Sequence, residues 1–408
     1  MKRYVIKTCL FIVCGLLGVA LFNAIVDPLD IYRLVRLPGF NKIKPRLDTF
    51  SRLAKPMWLT ARPYERLALG SSRTEIGIPI SSEKWGEFSG PGMNGAVSGA
   101  RLIEVAEIFQ HAGLVAPIKT VVIGADFFMF NAHSLGLYAS PQALAQYNNP
   151  LDLLLNQAAS TLFSYKITAA SLYTITHQRP KYDKYRRSGQ MNSRREADKS
   201  RKTGYPSRFQ RFADSFMESI WSPCKSNAYT YKRGKFDSMA IFAEILERAA
   251  TQDIDVKIFI PPVHARMLEA LSAAGHWPQF EQWKRDLVEV IAGVRGKTPG
   301  AAIALWDFSG YYDLTMEPFP APGELMTWYI DSTHFSEAFG RLIINRMYGM
   351  ASSQDAGVLL DEQSVDEIIE RIRAQQQEYR RRHPHVLHEM QERFQRINRR
   401  KKKTGKSC

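Results

Sequence analysis

A chain of 408 residues, 45% of them hydrophobic, can bury a substantial core, which excludes a disordered linker or a small disulfide-stapled domain. Its four cysteines, Cys9, Cys14, Cys224 and Cys408, form neither a disulfide framework nor a metal-ligand spacing. The net charge of +15 is concentrated: residues 179–211 carry twelve Lys and Arg against three Asp and Glu, and residues 370–408 carry thirteen against four. Such stretches favour anionic lipid, polysaccharide or nucleic acid as partners.

From Thr8 to Val26 the chain is almost free of polar residues, long enough at helical rise to cross a hydrocarbon core. Lys2, Arg3 and Lys7 precede it, which predicts a cytoplasmic N-terminus and an extracytoplasmic remainder. A cleaved signal peptide is the alternative, but no small-x-small site follows the apolar run, so an uncleaved single-pass anchor over residues 1–27 is expected. The membrane placement argues against nucleic acid. Residues 28–64 read as an irregular, Pro-punctuated connector.

β/α alternation begins next. Buried strands are predicted at 66–69, 92–94, 119–124, 255–260 and 301–306, with helices at 98–114, 238–251, from 265, from 279, and at 335–348. This pattern predicts a parallel sheet covered on both faces, in a domain spanning 65–353. Between about 176 and 233 it breaks into a basic, Tyr-rich insertion with one helix near 208–221, partly disordered or closing over the site. Residues 354–408 are expected to form a basic helical tail, interrupted at Pro384 and largely solvated. His383, His385 and His388 lie in it, and a solvated surface explains them better than a metal site.

In an open parallel sheet, functional groups collect at the carboxyl ends of the strands. Four segments are predicted to end there: Gly70-Ser71-Ser72, Asn94-Gly95, Gly124-Ala125-Asp126 and Pro261-Pro262-Val263-His264. A later loop, Asp331-Ser332-Thr333-His334, supplies a carboxylate and an imidazole three residues apart. Together they offer a nucleophile, a base and a base-orienting acid in the order Ser…Asp…His.

These segments resemble the sequence blocks of the SGNH (GDSL-like) hydrolases. Gly70-Ser71-Ser72 looks like the Gly-Asp-Ser block, with Ser71 where an Asp usually sits. Asn94-Gly95-Ala96-Val97-Ser98-Gly99 is similar to the second block, Gly124-Ala125-Asp126 to the third, usually Gly-x-Asn, and Asp331-Ser332-Thr333-His334 to the Asp-x-x-His of the fifth. The resemblance covers about residues 65–350 and is greatest to the membrane-anchored branch that includes alginate O-acetyltransferase-like and DltD-like proteins. It implies an α/β fold, a doubly wound, mainly parallel, flavodoxin-like three-layer sheet behind an N-terminal anchor; the apolar run and the charge pattern read above add the N-terminal transmembrane helix and the C-terminal helical basic tail. It also implies a bacterial inner-membrane location with a periplasmic catalytic domain, a polysaccharide or anionic envelope polymer as substrate, and a multi-spanning membrane acyltransferase as partner.

By this resemblance Ser72 is the nucleophile, His334 the base and Asp331 its orienting acid, with the backbone N–H groups of Ser72 and Gly99 holding an oxyanion. Asp126 departs from the pattern, since an ionised Asp cannot donate as Asn does; either burial keeps it protonated or it has a structural role. Arg73, Asn94 and His264 are candidate substrate-binding residues, although Arg73 could equally form a salt bridge and His264 could be an ordinary loop histidine. Ser72 could instead cap a helix starting near Thr74, and Asp331 one starting near Phe335. No cofactor or metal is called for. The expected activity is transfer or hydrolysis of an acyl ester through an acyl-Ser72 intermediate; the alternative is a non-catalytic polysaccharide-binding or assembly protein on the same scaffold.

Overall fold

The computed structural model describes residues 1–80, 85–132, 150–221, 229–350 and 356–403; Cys224 and Cys408 lie outside them. In chain order the helices are α1 (Lys2–Val26), α2 (Ser51–Ala61), α3 (Ser72–Gly77), α4 (Leu102–Val115), α5 (Pro150–Leu162), α6 (Tyr165–Thr176), α7 (Ser193–Thr203), α8 (Tyr205–Ser219), α9 (Ser238–Thr251), α10 (Ala265–Ala273), α11 (Trp277–Lys297), α12 (Glu337–Met347), α13 (Val365–Arg382) and α14 (Pro384–Lys403). The strands are β1 (Arg66–Leu69), β2 (Gly92–Asn94), β3 (Thr120–Gly124), β4 (Lys232–Arg233), β5 (Phe236–Asp237), β6 (Asp255–Ile260), β7 (Ile303–Asp307) and β8 (Val358–Leu360).

Six strands form one sheet in the order β2-β1-β3-β6-β7-β8; β4 and β5 make a separate hairpin. The first five run parallel, and β8 joins β7 antiparallel. The central strands are short apolar runs because both faces are covered. Successive side chains alternate between two cores: Leu67, Leu69, Val121, Ile123 and Ile258 face one, and Ala68, Val122 and Phe259 the other. Helices α4, α9 and α11 pack on the first side. Helix α12 closes the second through Phe339, Ile343 and Ile344.

The register aligns Leu69 with Ile123 and Ile123 with Ile258, so Gly70, Gly124 and Pro261 emerge along one edge of the sheet. The strand order reverses between β1 and β3, and at such a switch point the connecting loops diverge and leave a crevice at the carboxyl edge.

Three expectations need correction. The connector contains α2, whose Trp58 and Leu59 are fully buried; its apolar face is disguised by the internal Pro56. The sheet continues past residue 353, because β8 completes its edge. The C-terminal segment does break at His383-Pro384, but it is not a solvated tail: Val386, Met390 and Ile397 are buried, one apolar stripe within a very basic helix. Helix α14 packs on α8 and α10, with Arg393 paired to Asp214, Arg266 to Glu389 and Arg400 to Glu218. Arg393 and Arg400 of the tail, and Arg186 and Arg208 of the insertion, are thus each paired with a carboxylate within the fold.

Candidate active site

Strand β1 ends at Leu69, and Gly70 turns the chain with φ 144°. A Cβ at Gly70 would lie 3.0 Å from the Gly124 carbonyl oxygen and closer still to Thr74, so only glycine fits. Ser71 caps α3, its hydroxyl accepting from the Arg73 N–H at 3.3 Å. The capping function falls on Ser71 and leaves the hydroxyl of Ser72 free for another partner. That partner is His334, whose Nε2 lies 2.8 Å from Ser72 Oγ.

His334 Nδ1 is 2.9 Å from both carboxylate oxygens of Asp331. Asp331 Oδ1 also accepts the backbone N–H groups of Thr333 and His334, each at 3.0 Å. A carboxylate with this surrounding can only accept, so Nδ1 carries the proton and the Nε2 lone pair faces the serine. Asp331 does not cap the following helix; Ser336 does, accepting from Phe339 N–H at 3.3 Å. Asp331 is fully buried and His334 nearly so, whereas Ser72 is half-buried and open to a substrate.

Asp126 is fully buried and forms an ion pair with Arg73 Nη1. Arg73 Nε also donates to the Thr333 carbonyl at 3.0 Å and to its hydroxyl at 2.9 Å, and Nη2 donates to that hydroxyl at 2.6 Å. Phe128 and Phe216 flank the guanidinium, with ring centroids 5.6 and 5.4 Å from its carbon. Arg73 thus links the third strand end to the loop carrying Asp331 and His334. Asp126 acts as the counter-ion of this brace, and a partnered carboxylate offers an oxyanion no donor. Of the two readings of Arg73, the ion pair is the one realised.

Asn94 and His264 are also committed to the fold. Asn94 Nδ2 donates to the Thr74 and Ile78 carbonyls at 2.9 and 3.2 Å, and its Oδ1 accepts from Ala96 N–H at 3.2 Å. His264 caps α10, its Nδ1 accepting from Arg266 N–H at 3.2 Å, while Nε2 lies 2.9 Å from the Glu317 carbonyl. Burial holds the imidazole neutral and pushes its pKa down to about 4. Neither side chain keeps a polar atom for a substrate.

Gly99 sits on an exposed turn after β2 at φ 65°. A bond from Val97 N–H to the Gly70 carbonyl at 3.1 Å sets this turn beside the Ser72 loop. Among the described residues no hydrogen bond uses the N–H of Ser72 or Gly99. The turn is anchored by Glu75, which accepts from Ser98 Oγ at 2.6 Å, Lys55 Nζ at 2.8 Å and Tyr185 hydroxyl at 2.9 Å. The roles of Lys55 and Tyr185 were not legible in the sequence, since neither stands near a recognisable block.

The insertion supplies the roof. Phe212 of α8 packs edge-on to His334 at 5.2 Å between centroids, Ser332 Oγ donates to the Phe209 carbonyl at 3.1 Å, and Arg208 Nε lies 3.9 Å from Asp331 Oδ2. Beside the Arg73–Asp126 pair lies a narrow apolar cavity of about 40 Å³, lined also by Phe128, Phe216, Trp221 and Met267. Comparison of the chain with protein-family models finds no match, and comparison with curated proteins finds none at a meaningful level.

Proposed function

We propose that this chain is a membrane-anchored serine acyltransferase or esterase of the SGNH type, acting on acyl esters of an envelope or secreted polysaccharide. The observation that carries the reading is the unbroken hydrogen-bonded line Ser72–His334–Asp331, assembled from residues 262 positions apart at the sheet's switch point. Ser72 Oγ attacks the ester carbonyl while His334 Nε2 takes its proton. The carbonyl oxygen becomes an oxyanion, for which the N–H groups of Ser72 and Gly99 are the available donors. Collapse expels the alcohol oxygen, which takes the proton back from His334, and leaves acyl-Ser72. An acceptor hydroxyl then attacks the acyl carbon, His334 removes its proton, and Ser72 leaves as the free hydroxyl; water in that place gives hydrolysis. Asp331 holds the Nδ1–H tautomer and stabilises the imidazolium.

Transfer to a polymer, and a multi-spanning acyltransferase as acyl donor, rest on the resemblance to the alginate O-acetyltransferase-like and DltD-like branch. Retention of α1 as an anchor is supported by its last two turns: Asn23 and Val26 are buried, and Lys44 Nζ donates to the Val26 and Asp27 carbonyls at 3.0 and 2.6 Å. Cleavage there would strip a folded domain of part of its core.

The engagement of Asp126 and Asn94 within the fold supports a second reading, a non-catalytic polysaccharide-binding protein on the same scaffold. Ser72→Ala separates the two. Under the catalytic reading it abolishes acyl-ester turnover by the purified chain and changes the acyl content of the polymer in cells. Unchanged values of both, with glycan binding retained, select the second.

A further inference from the structure

Helix α1 is built into the domain at one end only. Its first eighteen residues, 2–19, are exposed, and its last turns pack against α5 and α6. Asn23 Nδ2 donates to the Leu162 carbonyl at 2.8 Å and to Thr168 Oγ1 at 2.9 Å, and Ser171 Oγ donates to Asn23 Oδ1 at 2.8 Å. Further along, Lys44 holds the end of α1, while the neighbouring Ile43 exchanges two hydrogen bonds with Gln178, just past the end of α6. Helix α6 therefore runs in the same direction as α1. Its beginning, the α5–α6 elbow at Phe163-Ser164-Tyr165, points back along α1 toward the exposed span.

Length then fixes a depth. A hydrocarbon core of about 30 Å takes roughly 20 residues at 1.5 Å each. Counted from Lys7, the outer boundary falls near Asp27, so Asn23 lies about 6 Å inside it and Tyr165, one turn further, about 10 Å inside. If Lys7 snorkels and the count starts at Arg3, the boundary falls at Asn23 and the elbow still lies about 5 Å deep. The elbow's surface matches that position. Phe163 is 48% exposed and Tyr165 85%, with Lys166 beside them, and the exposed Leu172 follows two turns nearer the boundary. The other end of α6 leads into the polar, basic stretch His177, Arg179 and Lys181. Amphipathic aromatics and a lysine with water-facing basic residues above them are what a headgroup boundary selects.

We propose that the α5–α6 elbow, through Phe163 and Tyr165, inserts into the outer leaflet beside α1 and holds the catalytic cleft at a fixed height over the membrane. The proposal rests on the reading of α1 as a membrane span. Its occupant is lipid, because the elbow is continuous with a helix that must itself be in lipid.

The test uses the full-length chain in phosphatidylcholine–phosphatidylglycerol vesicles, with all four cysteines replaced by serine and single cysteines restored or introduced for an environment-sensitive fluorophore. Labels at Cys14, at Tyr165→Cys, at Phe163→Cys and at the exposed Thr251→Cys are quenched in turn by nitroxide lipids and by a water-soluble quencher. The proposal expects blue-shifted emission at 163 and 165, lost to shallow-chain nitroxide lipids and resistant to the aqueous quencher, with the opposite at 251. Quenching by nitroxide lipids at Cys14 but not at 163 or 165 overturns the elbow and leaves the span intact. Lipid quenching at none of them removes the span as well. A blue shift at 163 and 165 without lipid quenching indicates contact with protein and also overturns the proposal. All three introduced cysteines replace exposed side chains, so none of these labels depends on a repacked core.

Discussion

Replacing Arg73 with alanine leaves the Asp126 carboxylate without its counter-ion inside the protein. Both side chains are buried, and Asp126 Oδ2 already lacks a hydrogen-bond partner among the described residues. Breaking a buried ion pair from one side costs about 3–5 kcal/mol, because the remaining charge keeps its desolvation penalty and loses its compensation. With an unfolding entropy of about 2.1 cal/mol/K per residue, that loss lowers the melting temperature of a chain this long by roughly 4–6 °C. Arg73→Ala/Asp126→Ala removes the orphaned charge and is expected to melt above Arg73→Ala alone. Arg73→Lys keeps one charge but cannot reach Asp126 and Thr333 together, so it should hold most of the stability while loosening the His334 loop and lowering turnover. Near-UV circular dichroism of the full chain in detergent reads the melts. A single variant within about 1 °C of the parent, or a double variant less stable than the single, would refute the brace.

Two further outcomes follow from the site. Asp331→Asn preserves the acceptor for the Thr333 and His334 N–H groups but presents an N–H to His334 Nδ1, driving the proton to Nε2. Ester turnover should fall by about four orders of magnitude with little change in melting temperature, as wrong-tautomer triads do, and a loss below tenfold contradicts the assignment. His264, held at a pKa of about 4 in the fold against 6.5 for the free side chain, is neutral when folded and binds a proton more readily when unfolded. Its contribution is full above pH 6.5 and is lost as pH falls toward 4, about 3 kcal/mol over that window. His264→Asn, which keeps a capping oxygen, should flatten the decline of stability with acid; an unchanged slope assigns that decline elsewhere.

The sequence carried the parallel sheet well, because fully buried strands read as apolar runs such as 119–124 and 255–260. The polar segments were poorly legible. The stripe Val386, Met390 and Ile397 is spread thinly through a helix crowded with arginine, so charge masked its packing. Helix α2 was hidden by Pro56, and the roofing role of α8 depends on Phe209, Phe212 and Phe216, whose spacing shows an apolar face but not what it covers. At the site, Ser72, Asp331 and His334 come together as their spacing suggested. What local sequence could not show was how competing polar demands are divided: Ser71 takes the cap, Arg73 takes Asp126, and Asn94 and His264 are used up inside the fold.

The central claim is that Ser72 is a nucleophile activated by His334. Treating the full chain with a serine-reactive fluorophosphonate and mapping the adduct by peptide mass spectrometry tests it directly. The account expects a single stoichiometric adduct on Ser72, abolished in Ser72→Ala and strongly slowed in His334→Ala. No adduct, or an adduct on another serine that persists in Ser72→Ala, would contradict it.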